Sequence, residues 1–328
     1  SVSSIKMDSN KHRQLKSEPL KSQYLSPFER IGYIYNVEWC SELNILGRKE
    51  YFDNQEKVES CELFDDDVIV CGNGKTGSNW CERIVWALMY DIKLEIQNPP
   101  PVNLFMVTLG IHPFNTEEEF LSKLSRPRLL KTPLPYELLP KQFREKRTKA
   151  KIIYMYRNPR DVCQSAFNHF KTLHDDFSGT LQDVVNLMTN DVGNAFGPYF
   201  KHILGYWNRR LDENLLVISY EEMKKDFSGH IKKISDFLDI EISNEDLVAF
   251  TNRFSFETMK ANAEKMLSFN ASQKNYSSTV DAALKGKTMF NKGQIGSWKA
   301  LFTPEMTKQM EEWETKWLKD TDLKLIYE

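Results

Sequence analysis

One nine-residue stretch carries most of the chemistry that this chain declares. Gly72-Asn73-Gly74-Lys75-Thr76-Gly77-Ser78-Asn79-Trp80 crowds three glycines, a lysine and two hydroxyls together. Glycine lets backbone approach a ligand closely, free amides at a helix start point at an anion, and Lys75 adds a full positive charge. The stretch therefore reads as a cradle for phosphate or sulfate. A nucleotide triphosphatase loop is the first alternative, because Gly74-Lys75-Thr76 matches the end of G-x-x-x-x-G-K-[ST]. The leading glycine of that pattern would fall at Ile69, so this alternative and the P-loop kinase reading both fail. Metal chemistry finds no support. His169 and His174 are five residues apart rather than four, and the five cysteines (Cys40, Cys61, Cys71, Cys81, Cys163) show no CxxC and no Cys/His pairing at zinc spacing.

The cradle needs a strand before it and a helix behind it, and the flanking residues supply both. Val68-Ile69-Val70-Cys71 is a short apolar, β-branched run, while Ile84, Val85, Leu88 and Met89 fall at helical spacing. Arg128 to Pro133 reads as a short strand stopped by proline. Lys151 to Arg157 reads as a clear strand, followed by Asn158 as N-cap, Pro159 at the first helical position and a helix through about Leu173. Leu215 to Tyr220 repeats the strand signature, with a helix near 228–238 behind it. Thr303-Pro304 opens a last helix whose Met306, Met310, Trp313 and Trp317 mark one buried face. Strands alternating with helices predict an α/β domain with a central parallel sheet, its ligand beyond the carboxyl ends of the strands. Asn98-Pro99-Pro100-Pro101 predicts a loop, 105–120 suits a pocket wall, and 29–64 shows a mixed pattern that assigns no element.

Composition bounds the rest. The 328 residues are 41% hydrophobic and 27% charged, which describes an ordinary globular protein. A formal charge of −2 removes nucleic acid as a default partner, so any anion site is local. Residues 1–26 are polar, lack an apolar signal region and predict a loosely ordered segment before a domain over 27–328. No uninterrupted apolar run reaches membrane length, and the cysteines read as reduced thiols, so the expectation is a cytoplasmic protein with no membrane partner.

Four stretches then match one family in order. The glycine loop resembles Y-P-K-S-G-T-T/N-W. Leu130-Lys131-Thr132-Pro133-Leu134-Pro135 resembles L-K-T-H-L-P. Arg157-Asn158-Pro159-Arg160-Asp161-Val162 with Ser165 resembles R-N-P-K-D-V-x-x-S. Lys292-Gly293-Gln294-Ile295-Gly296-Ser297-Trp298-Lys299 resembles R-K-G-x-x-G-D-W-K. Across residues from about 60 onward the chain thus resembles the cytosolic sulfotransferases, which transfer a sulfuryl group from 3′-phosphoadenosine 5′-phosphosulfate (PAPS) to a small molecule. The resemblance implies PAPS as co-substrate, no metal, and a phenol, alcohol or amine as acceptor. It implies that Lys75 and Lys131 are catalytic. It further implies that Lys75, Thr76, Gly77, Ser78 and Asn79 hold the 5′-phosphosulfate, that Trp80 and Phe256 wall the adenine, and that Arg157 and Ser165 hold the 3′-phosphate. Tyr220, Ser255, Asn291, Lys292 and Gly293 complete the nucleotide set.

Three departures qualify the resemblance. Pro133 stands where the family has its general-base histidine, a loss worth roughly 10²–10⁴ in rate when nothing substitutes. Asn291 replaces an arginine of the last phosphate loop. The family's dimer motif K-x-x-x-T-V-x-x-x-E becomes Lys299, Thr303, Pro304 and Lys308, which predicts a monomer or a dimer through another surface. His112 is the candidate substitute base. A binding protein of the same fold that has lost catalysis is the competing reading. Glu305-Met306-Thr307-Lys308-Gln309, with Leu318-Lys319-Asp320-Thr321-Asp322-Leu323, resembles arthropod members, among which is a retinol-dehydrating branch.

Overall fold

The computed structural model describes residues 15–19, 37–90, 125–173, 177–192, 197–259, 261 and 293–328. Its centre is a parallel sheet of β4 (Val68–Gly72), β5 (Leu129–Thr132), β6 (Lys151–Tyr156) and β7 (Leu215–Ser219), in the order β5-β4-β6-β7. Parallel strands covered on both faces read as continuous apolar runs, and every residue of β4 is buried. Alternation assigns the faces. Ile69, Cys71, Ile152, Tyr154 and Tyr156 join one core, and Val68, Val70, Ile153, Met155 and Ile218 join the other.

Helix Ser78–Met89 buries Cys81, Ile84 and Val85 against the second core, and helix Pro159–Leu173 buries Val162, Cys163 and Ala166 against the first. From β4 the chain moves to β5 on one side and then to β6 on the other. The topological switch point, where ligands of such sheets bind, therefore lies at β4 and β6. At the opposite end of the sheet, Arg128 Nε donates to Asp67 Oδ1 at 2.8 Å, a buried pair tying the start of β4 to the start of β5.

The strands and helices expected at the four motifs are present within a residue or two. The glycine-loop helix begins at Ser78, and Asn158 caps its helix through the Asp161 N–H at 2.8 Å. In the last helix Met306, Met310 and Trp313 are buried, with Trp317 packed beside them. The mixed 29–64 region proves structured in its described part: β2 (Val37–Cys40) pairs antiparallel with β1 (Glu18–Pro19) and β3 (Ile45–Arg48), and helices Lys49–Asp53 and Gln55–Ser60 follow. Helices Leu181–Thr189, Tyr199–Trp207 and Asn244–Arg253, to which the sequence reading assigned nothing, pack around the sheet. The cysteines are free thiols, all buried but Cys61. The proline loop at 98–101, the 105–120 wall, His112, His174, Asn291, Lys292 and most of 1–26 lie outside the described residues.

Candidate active site

The glycine loop leaves β4 at Gly72 and turns into the helix through two residues in the left-handed region, Lys75 (φ 69°) and Gly77 (φ 95°). A side chain on Gly72 would stand 2.8 Å from the Met155 carbonyl of β6, so backbone meets backbone there. Positive φ at a lysine costs about 1–3 kcal/mol and persists only where surrounding structure imposes it. Thr76 is fully buried and donates its hydroxyl to the Asn73 carbonyl at 2.7 Å, which makes it a brace of the loop. The amides of Gly77, Ser78 and Asn79 open the helix, where no preceding carbonyl at helical spacing accepts from them. Burial, and then the Arg157 charge, pushes the Lys75 ammonium down to about 8.

Around this loop Gly77, Trp80, Arg157 and Gly293 converge on Tyr220, the first residue after β7. Its ring lies so close to Gly77 that a Cβ there would meet it at 2.7 Å. The Arg157 guanidinium sits 4.3 Å from the ring centre, and Trp80 approaches edge-on at 5.7 Å. The Tyr220 hydroxyl reaches toward the Gly293 carbonyl at 3.5 Å. Gly293 itself (φ 59°) is pressed against Phe256, whose ring carbons would lie 2.3 Å from an added Cβ. Trp80 donates its indole N–H to the Phe254 carbonyl at 2.9 Å and stacks on Phe227, which ties the two expected adenine walls into one unit. Ser255 lies in the same segment, its hydroxyl accepting from the Thr258 N–H at 3.2 Å and donating to the Thr258 hydroxyl, as a cap. Ser165 is half-exposed on helix Pro159–Leu173.

Arg157 is 8% exposed, and its Nε has no hydrogen-bond partner. A surface ion pair with Asp161 does not account for it. Asp161 is 1% exposed, lies 3.8 Å away, and accepts instead from the Gly296 N–H (2.9 Å), the Trp298 N–H (3.2 Å) and the Ser297 hydroxyl. Glu221, 4.0 Å from Arg157, accepts from the Asn158 backbone and side chain at 2.9 Å. Both carboxylates are thus occupied in fixing loops, and a buried guanidinium keeps an unpaired donor that suits phosphate oxygens.

On the other side, Lys131 at the end of β5 donates to Glu82 at 2.7 Å and to the Asn79 side chain. Glu82 is 5% exposed, and burial raises its pKa in spite of Lys131. Beyond it, the Pro133 carbonyl accepts from His202 Nε2 at 2.9 Å, while His202 Nδ1 faces the Tyr154 hydroxyl at 2.8 Å. Burial pushes His202 down to about 4, so it stands neutral. Sequence reasoning missed His202, Glu82 and Glu221. Glu221 follows Tyr220 directly and Glu82 lies one turn from Asn79, which were the available signals.

The far side of the last loop rests on the tail of the chain. Arg160, held by Glu314 at 2.7 Å, lies 4.7 Å from the Trp298 ring and 4.5 Å from the Tyr327 ring. The Tyr327 carbonyl would stand 2.9 Å from a Cβ on Gly296 (φ 74°), and Lys299 pairs with Glu328 at 2.7 Å.

A glycine loop, a strand-end arginine and a second glycine loop meeting at the switch point of a parallel sheet define an α/β protein that handles an anionic group. The comparisons narrow the class. Residues 65–322 match the sulfotransferase domain, and the chain belongs to that family. Luciferin sulfotransferase of Photinus pyralis is 28% identical, over 88% of this chain and 84% of that protein. Amine sulfotransferase of Oryctolagus cuniculus is 32% identical, over 90% and 94%. Among solved structures, retinol dehydratase with retinol and PAP aligns at a TM-score of 0.81 and 23% identity, over 95% of this chain and 99% of that one, a likeness of fold. Mouse sulfotransferase SULT7A1 with PAP aligns at 0.66 and 25% identity, over 87% and 95%. Among the described residues no group of His, Cys, Asp or Glu is placed to hold a metal, and no helix is long and apolar enough to cross a membrane.

Proposed function

We propose that this protein transfers the sulfuryl group of PAPS to the hydroxyl or amine of a small molecule. The observation that carries the reading is the convergence of Gly77, Arg157 and Gly293 on Tyr220 at the switch point of the sheet. PAPS fits the residues present: Gly77 and Gly293 hold left-handed backbone close against the Tyr220 and Phe256 rings, where only glycine fits, and Arg157 keeps a buried donor unpaired. PAPS supplies an activated S–O bond to its 5′-phosphate. In-line attack forms the bond from acceptor oxygen or nitrogen to sulfur, that S–O bond breaks, adenosine 3′,5′-bisphosphate leaves, and the acceptor's proton passes to solvent.

Within this scheme the amides of residues 77–79 and Lys75 face the 5′-phosphosulfate, and Lys75 stabilises charge on the leaving oxygen. Lys131 stabilises the transferring group, with Asn79 and Glu82 fixing its ammonium. Arg157 and Ser165, with Lys292, hold the 3′-phosphate, and Trp80 and Phe256 wall the adenine. Thr76 supports the site by bracing the loop through its hydroxyl rather than by contact with the nucleotide. The carboxylates at 161 and 221 position the loops.

Turnover of radiolabelled PAPS against phenols, aliphatic alcohols and amines tests this reading. Label in any acceptor supports it. Tight nucleotide binding with no transfer to any acceptor favours the second reading, a nucleotide-binding protein without catalysis. One observation favours that reading: Pro133 offers no titratable group, and the histidine behind it faces its carbonyl.

A further inference from the structure

Tyr220 and Lys224 stand four residues apart on helix Tyr220–Lys225 and so share a face. Arg157 lies over the Tyr220 ring, and the Lys224 ammonium lies 5.1 Å from the centre of the Phe256 ring. Lys224 is half-buried, and it makes no hydrogen bond or ion pair with another described residue. Burial holds its ammonium below the ordinary lysine value; Glu257 opposes this, and the Arg157 charge adds to it more weakly. Arg157 depresses Lys75 as well. Lys75 and Lys224 both lie within reach of the Arg157 charge, while the carboxylates nearest Arg157 are occupied with backbone N–H groups. Such crowding is unfavourable in itself and is relieved by a ligand with negative charge at two separated positions. Lys75 marks one position. Lys224 belongs to the other, because its neighbours are Arg157 and Phe256.

We infer that Lys224 binds the 3′-phosphate of the nucleotide beside Arg157 and makes the site select ligands that carry this phosphate. The inference rests on the nucleotide reading above, and its test separates the two. Calorimetric titrations compare adenosine 3′,5′-bisphosphate with adenosine 5′-monophosphate on wild type, Lys224→Gln and Lys224→Arg. Removing one charge-assisted contact weakens the bisphosphate about tenfold in Lys224→Gln, changes the monophosphate less than about twofold, and is largely restored in Lys224→Arg. Lys224→Met, which keeps the apolar stem over Phe256, serves where Lys224→Gln does not fold, and the same contrast is expected. An equal loss for both ligands makes Lys224 a support for Phe256 and overturns the inference, as does no loss for either. Failure of wild type to bind either ligand overturns the nucleotide reading and this inference with it.

Discussion

His202 Nε2 lies 2.9 Å from the carbonyl oxygen of Pro133, and the same ring's Nδ1 faces the hydroxyl of Tyr154. A neutral imidazole donates from one nitrogen and accepts at the other, so His202 donates to the carbonyl and accepts from the tyrosine. With its pKa pushed down to about 4 by burial, it has no site left for an acceptor's proton.

Acceptor preference follows from that pairing. Acceptors already deprotonated need no base, so acidic phenols and unprotonated amines should react faster than aliphatic alcohols, by much of the roughly 10²–10⁴ that a base contributes. The rate should follow the acceptor's own ionisation, with no limb near ~6.5. Pro133→His should raise turnover of alcohols more than of acidic phenols. Rapid sulfation of alcohols with a histidine-like limb, abolished by His112→Ala, contradicts this.

Arg157→Ala should weaken adenosine 3′,5′-bisphosphate by about 1.5–3 kcal/mol, the scale of a charge-assisted bond. Wild type should melt higher with the bisphosphate present, by mass action, and the variant should lose most of that gain at the same ligand concentration. An unchanged shift in the variant removes Arg157 from the site.

Nucleotide binding should take up a proton near pH 8 to 9. Lys75 is depressed to about 8, and an anion against it raises that value, so the free protein is partly deprotonated where the complex is not. Affinity should fall as pH rises through this window. For folding the sign is opposite: the unfolded chain binds more protons between about 8 and the ordinary lysine value, so this group's contribution to stability rises with pH there. Calorimetry in buffers of different ionisation enthalpy measures the uptake, and Lys75→Met should abolish it.

Asp161→Ala should cost about 1–3 kcal/mol of stability, because the buried Trp298 N–H and the Gly296 N–H lose their acceptor. Chemical denaturation reads this as a lower midpoint. Nucleotide affinity should fall as well, since Gly293 shares the loop. A variant with an unchanged midpoint shows that the loop is held by other means.

Self-association should not use the 299–308 segment. Thr303 caps helix Pro304–Leu318 through the Met306 N–H at 3.2 Å, Pro304 opens that helix, and Lys308 is exposed beside Glu312. Sedimentation velocity should show a monomer, or a dimer joined elsewhere. A dimer with this segment buried, left intact by Lys308→Glu, contradicts the expectation.

The strands, the glycine loop and the cap at Asn158 were legible because each is written in neighbouring residues. The joints were not. Asp161 finds Gly296 across 135 positions and Trp80 finds Phe254 across 174, and no local period encodes such pairs. Thr76 shows the same limit at short range, since its residue type suggests a ligand and its burial makes it a brace. Helix Tyr199–Trp207 does carry a helical period, with Tyr199, Phe200, Ile203 and Tyr206 buried, and the sequence reading passed over it.

The returning tail has a consequence for how the protein is handled. Tyr327 backs the turn at Gly296 and flanks Arg160, so on the proposed reading nucleotide binding should be coupled to the docking of residues 323–328. Coupling of this kind is reciprocal: whatever the docked tail adds to nucleotide affinity, bound nucleotide adds to the docking of the tail. The rate at which a protease trims these residues should then fall when nucleotide is bound, a gauge of the site readable without any acceptor.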